Sequence, residues 1–161
     1  MKLTGKTDIE APISFVYATL NDHANWEAEA RLRGIEFERP ADMPLTGPGA
    51  GWRIKLPYCG KIRPVLVRLD TMTKDKRLHF TLEGTSLDGA LGVELSALSP
   101  KRTRLRLILE IKPKTLTARL FLNTLRLAKG RVTARLEQRL AQVGARLQQM
   151  SRSGIVPGTR T

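Results

Sequence analysis

"TDIEAPISFVYATLNDHANWE", Thr7 to Glu27, is the stretch whose reading decides the fold. It completes a segment, Lys2 to Glu10, in which Leu3, Gly5, Thr7 and Ile9 share one side, and that alternation predicts a strand. Pro12 fixes its own backbone angle and suits the first turn of a helix. Phe15, Val16, Thr19 and Leu20 follow at helical spacing, enough for about two turns. Asn21-Asp22 can stop that helix and cap a second one, Ala24 to Arg33, with Gly34 as its stop. Two short helices in succession cannot lie in a sheet. They must connect its first two strands and close one end of it.

Beyond Gly34 the period changes to two. Ile35 and Phe37 alternate with Glu36 and Glu38, and Pro40 to Gly51 holds three prolines and three glycines and reads as a loop. Trp52, Ile54 and Leu56 alternate with Arg53 and Lys55, and Tyr58-Cys59-Gly60 reads as a turn. Lys61 to Thr73 is a further strand, in which Pro64 implies an edge or a bulge. Leu78, Phe80 and Leu82, then Leu87 to Ala97, then Thr103, Leu105, Leu107, Leu109 and Ile111 repeat the alternation between polar turns. These are antiparallel strands with one wet and one dry face.

After Pro113 the pattern is helical to about Met150, a rod of roughly 35 residues and about 50 Å. At 100° per residue Leu122, Leu125, Val132, Leu136, Leu140, Val143 and Leu147 form one stripe. Lys129 falls 700° beyond Leu122, nearly two full turns, and so in the middle of the stripe between Leu125, Val132 and Leu136. The expected architecture is α+β: a curved antiparallel sheet of about seven strands wrapped around one long C-terminal helix, with two short helices after the first strand. Residues 1–150 form a single domain and residues 151–161 a disordered tail.

The chain has 161 residues and a hydrophobic fraction of 41%, which suffices for a core without metals or disulfides. The start has no apolar run that would make a signal peptide, and no segment reaches transmembrane length. The single cysteine, Cys59, agrees with a reducing cytoplasm and reads as a turn or core residue. The net charge of +13 is uneven: residues 1–50 carry −3, residues 51–100 carry +3, and residues 101–161 carry +13. A basic last third suits an anionic membrane, RNA or an acidic protein, or only a solvated surface.

On "IEAPISFVYATLNDHANW", where Ile9, Ala11-Pro12, Val16, Leu20, Asp22 and Trp26 fit the usual opening, the chain resembles the START-related, birch-pollen-allergen-like helix-grip superfamily. Polyketide cyclases and coenzyme Q-binding proteins belong to it. The element order over residues 1–150 carries the same resemblance. It implies an apolar ligand held between helix and sheet, and no shared catalytic set.

No HExxH, paired CxxC or nucleophile elbow is present, so neither a catalytic residue, a metal site nor a cofactor is expected. "GPGAG", Gly47 to Gly51, lacks the Lys-Ser/Thr of a phosphate loop. His79 falls on the wet face, while His23, between the short helices, can line a cavity mouth. Glu36, Glu38 and Asp42 could hold a cation, but alternation turns both glutamates to solvent. The expected function is binding or carrying a hydrophobic small molecule or lipid. Its cavity is assigned to Trp26, Trp52, Ile54, Leu78, Phe80, Leu82, Leu105, Leu107, Leu122, Leu125 and Lys129. A basic surface of Arg102, Arg104, Arg106, Arg131, Arg135, Arg139 and Arg146 would dock at an anionic membrane. The alternatives are a cyclase- or dehydratase-type enzyme using the same cavity, and a basic adaptor for RNA or an acidic protein.

Overall fold

The computed structural model describes residues 1–58 and 61–157, so Cys59 and the end of the tail, 158–161, lie outside the described residues. Strand β1 (Lys2–Ile9) leads into helices α1 (Ile13–Leu20) and α2 (His23–Leu32). Strands β2 (Phe37–Glu38), β3 (Gly51–Tyr58), β4 (Lys61–Thr73), β5 (Arg77–Gly84), β6 (Leu87–Ser99) and β7 (Arg102–Pro113) follow, then α3 (Leu116–Leu127) and α4 (Lys129–Arg152). The strands form one antiparallel sheet in the order β1-β7-β6-β5-β4-β3-β2. Each strand neighbours the next in sequence except β1, which closes on β7; α1 and α2 carry the chain across to β2 at the far edge.

Local chemistry sets the first corner. Ile9 ends β1, and the buried Thr103 hydroxyl donates to the Ala11 carbonyl at 2.8 Å, pinning the strand exit to β7. Pro12 sits one residue before the helix, with extended backbone (φ −62°, ψ 148°). Asn21 closes α1, Asp22 holds the N-cap position of α2, and Gly34 leaves α2 at φ +75°, a conformation glycine adopts without strain. Pro64 lies inside β4, just past Val65↔Gly84, the last β4–β5 pair, so β4 is locally an edge there. The β-bulge lies elsewhere, between Leu69 and Thr71.

Register defines the dry face. One row runs Leu69↔Phe80, Phe80↔Leu91, Leu91↔Leu109 and Leu109↔Leu3; the next runs Trp52↔Val67, Val67↔Leu82, Leu82↔Gly89 and Gly89↔Ile111. The core lies at one end of this face, where Ile9, Leu69, Leu78, Leu95 and Leu105 meet Val16 and Tyr17 of α1 and Leu140 and Leu147 of α4. Helix α4 packs on β1 through two glycines. A Cβ on Gly144 would meet Ile9 Cγ1 at 3.3 Å, and one on Gly5 would meet Leu140 Cδ1 at 3.0 Å.

The C-terminal rod is not continuous. It breaks at Ala128 (φ −106°, ψ 20°), which lets α3 bury Ala118 and Leu122 near β7 while α4 follows β1. Burial then rises along α4: Lys129 is exposed, Val132 and Leu136 are half-buried, and Leu140, Gly144 and Leu147 are buried. The expected central place of Lys129 in the apolar stripe is therefore corrected. The helix begins at Lys129, and its first turns, to Arg135, bury no residue. Helix α4 also continues through Ser151–Arg152, two residues into the segment expected as tail, and ends before Gly154 at φ +72°.

Candidate ligand-binding site

Burial falls toward the start of α4, and the middle of the dry face is incompletely covered. Val67, Phe80, Leu82, Leu91, Leu109 and Ile111 are adjacent by register and all half-buried. On the helical side Phe121, Leu125, Val132 and Leu136 are half-buried too. A filled core would exclude water from apolar side chains in such positions.

The residues assigned to the cavity from sequence divide into three groups. Trp26, Ile54, Phe80, Leu82, Leu107 and Leu125 are half-buried. Trp52, Leu78, Leu105 and Leu122 are fully buried. Lys129 is exposed.

At the β3 side of the concavity stands a cluster that the sequence reading did not assemble. His23 and Trp26 of α2 meet Trp52 of β3, with ring centroids 4.9 and 4.6 Å from it. The Trp52 indole N–H donates to Glu27 Oε1 at 3.1 Å, and the same oxygen accepts from Arg39 at 3.2 Å. The Arg39 guanidinium lies over the Trp52 ring at 4.4 Å, a cation–π contact. The buried indole N–H is thereby satisfied and Glu27 neutralised.

His23 is buried, and its Nδ1 has no hydrogen-bond partner among the described residues. Burial, with the Arg39 charge beside it, pushes its pKa below the ordinary histidine value. The imidazole is therefore neutral at pH 7. His79 lies on the outer face, with Nδ1 3.5 Å from Asp70.

Between α2 and the C-terminal half of α4 lies an apolar pocket of about 280 Å³, reached by Leu20, Trp26, Ile35, Val143, Leu147 and Met150. Trp26 thus belongs to both the aromatic cluster and this pocket. An ion pair from Arg146 to Glu29 ties the two helices at its rim.

The basic surface is thinner than its charge count. Arg104 donates to Asp8 at 2.8 Å, and Arg102 reaches Asp8 and Glu10 at 3.4 and 3.2 Å. The hydrogen bond from Arg104 holds the Asp8 carboxyl below the usual carboxylate range. Glu36 and Glu38 pair with Lys55 and Arg53. Arg106, Arg131, Arg135 and Arg139 make no ion pair among the described residues. No described helix is long and apolar enough to cross a membrane.

No protein-family model matches the chain. No curated protein matches it by sequence. Solved structures do match. A protein from Thermus thermophilus is 17% identical with a TM-score of 0.67, the match covering 96% of this chain and 99% of that one. The Zhui aromatase/cyclase from a Streptomyces species is 15% identical with a TM-score of 0.66, over 97% and 98% of the two chains. A START superfamily protein from Mycobacterium smegmatis is 16% identical with a TM-score of 0.53, over 85% and 97%. At these identities the likeness establishes architecture. The seven-stranded sheet, the paired short helices and the long C-terminal helix are the helix-grip fold of the START-related, birch-pollen-allergen-like proteins.

Proposed function

We propose that the chain binds or carries a hydrophobic small molecule between the dry face of its sheet and helices α3 and α4. The half-buried patch of Val67, Phe80, Leu82, Leu91, Leu109 and Ile111 carries this reading. Apolar surface left wet forgoes about 25 cal/mol per Å² of burial. A guest that covers the patch recovers that free energy. The shared architecture with START-superfamily and aromatase/cyclase structures supports the reading at the level of fold. A neutral solvatochromic dye such as Nile red is expected to bind with micromolar affinity and to shift its emission to the blue. If neither the dye nor any long-chain alcohol binds, the carrier reading is lost.

One observation favours a second reading, an enzyme of the cyclase or dehydratase type. His23 is neutral and buried, with no partner at Nδ1 among the described residues, and it stands between two tryptophans and beside Arg39. Such an imidazole is suited to general acid–base work if the ligand reaches it. Turnover of a poly-β-ketone by the purified protein, abolished in His23→Phe, is the outcome this reading requires. The unpaired Arg106 and Arg131 further suit docking at an anionic membrane, where each basic residue contributes about 1 kcal/mol. Equal sedimentation with neutral and anionic liposomes would refute that part.

A further inference from the structure

The apolar pocket between α2 and α4 adjoins a second cleft at the surface, of about 540 Å³, with which it shares Arg33, Ile35 and Gln142. That cleft adds Arg135, Gln138 and Arg139 from α4. Its lining therefore holds three arginines and no acid. Arg135 and Arg139 stand four residues apart, one above the other on the same helix face. Arg33 comes from the C-cap of α2 on the other side.

Arg146, less than two turns further along α4, is held by Glu29, and Arg39 is held by Glu27. Arg53, Arg102 and Arg104 each have a carboxylate within reach. Arg33, Arg135 and Arg139 have none among the described residues, although they share one concavity. Arg77, Arg106, Arg119, Arg126, Arg131 and Arg152 also make no ion pair among the described residues, so what sets Arg33, Arg135 and Arg139 apart is that they line one cleft. Like charges at this spacing on a helix repel. The helix dipole accounts for a cation at the end of α2, but not for a pair in mid-α4 that lines the same cleft. Planar guanidiniums that line one cleft without a carboxylate suit bidentate recognition of a carboxylate or phosphate. The adjoining pocket is apolar, so the anion would come with an apolar body.

We infer that the joined clefts form a binding site for an anionic amphiphile. Its apolar body lies against Trp26, Ile35 and Leu147, and its carboxylate or phosphate headgroup lies on Arg33, Arg135 and Arg139. The inference goes beyond the hydrophobic-ligand reading above: it shares the apolar ligand body with that reading and adds a site on the α2–α4 side for a charged class. It also moves the headgroup anchor away from Lys129, whose exposed place at the start of α4 lies outside both clefts.

The test uses three probes with one tail, oleyl alcohol, oleate and oleyl phosphate, below their aggregation limits and at low salt. The full chain is expected to bind at least one of the two anions about tenfold more tightly than the alcohol. The tighter anion identifies the headgroup as carboxylate or phosphate. Arg135→Gln with Arg139→Gln is expected to remove that preference and leave the affinity for oleyl alcohol unchanged. Both side chains are exposed, so the fold should persist. Arg152→Gln, which removes an exposed arginine of the same helix outside the clefts, should change neither affinity. The inference is overturned by equal affinities in the unmodified chain, by a preference that survives the double substitution, or by an equal loss in Arg152→Gln, which would mean diffuse attraction. Failure of all three probes, oleyl alcohol included, removes the hydrophobic-ligand reading and this inference with it. Binding of oleyl alcohol without anion preference removes the inference alone.

Discussion

The two ends of the dry face are built from the same residue types on the same strands, yet they are packed differently. At the closed end Ile9, Leu69, Leu78, Leu95 and Leu105 are between 0% and 7% exposed. Two to four residues along the same strands, Phe80, Leu82, Leu91 and Leu109 are half-buried. The strands alternate equally well in both places, so the difference comes from the cover. Helix α1 and α4 from Leu136 onward seal the closed end, and Gly5 and Gly144 let that part of the helix sit close. The first turns of α4, from Lys129 to Arg135, bury no residue. Alternation tells which face is dry; the helix above it decides whether the face becomes core or concavity.

One substitution at each end tests this contrast with the chemistry held constant. Leu69→Ala removes a side chain that is 0% exposed and leaves a cavity among tightly packed neighbours. It is expected to cost about 3–5 kcal/mol in denaturant unfolding. Leu82→Ala removes a half-buried side chain beside space that already exists. The cavity contribution should be small and the loss near about 1 kcal/mol. Nile red affinity should fall in Leu82→Ala, because the guest loses a wall, and should hold in Leu69→Ala wherever the variant remains folded. Equal stability costs at the two positions would mean that the patch is ordinary core, and the proposed concavity would then have no basis.

Legibility in the sequence divides along the same line. What depends on neighbours along the chain was readable: the corner at Ala11-Pro12, the paired short helices, the stop at Gly34, and the strand alternation that puts Phe80 and Leu82 on the dry face and His79 on the other. What depends on distant partners was not. The Glu27–Arg39–Trp52 cluster joins residues 12 and 25 positions apart, and no local pattern announces it. Arg102 and Arg104 look free in a charge count, but the β1–β7 pairing brings Asp8 beside them from 94 and 96 positions away. The central placement of Lys129 assumed an unbroken helix lying flat on the sheet. Neither proline nor glycine marks Ala128, and Gly130 two residues later is the only local hint of the break.

The smallest expected effect concerns the aromatic cluster that walls the concavity at β3, and it is read as a pH dependence. Burial lowers the pKa of His23 in the folded chain below its ordinary value of 6.5, and Arg39 adds to the shift. The unfolded chain then binds more protons than the folded one between those two values. Stability rises with pH wherever the unfolded state holds the excess. The contribution of His23 is therefore fully present above about pH 6.5. It is lost progressively as pH falls toward the folded value, and below that value it changes no further. Asp8 acts in a separate window. Its pKa is lowered by Arg104, so its contribution is present above the ordinary 3.8 and fails only as pH drops through the folded value beneath it. A stability profile from pH 7 downward should thus show two declines, a shallow one starting near 6.5 and another below 3.8. His23→Phe keeps a ring against Trp26 and Trp52 and removes the titrating group, so the first decline should vanish while the second stays. If the slope just below pH 6.5 is the same in both chains, His23 titrates normally. The cluster would then be open to water, and the β3 side of the concavity would lack the dry wall that its geometry implies.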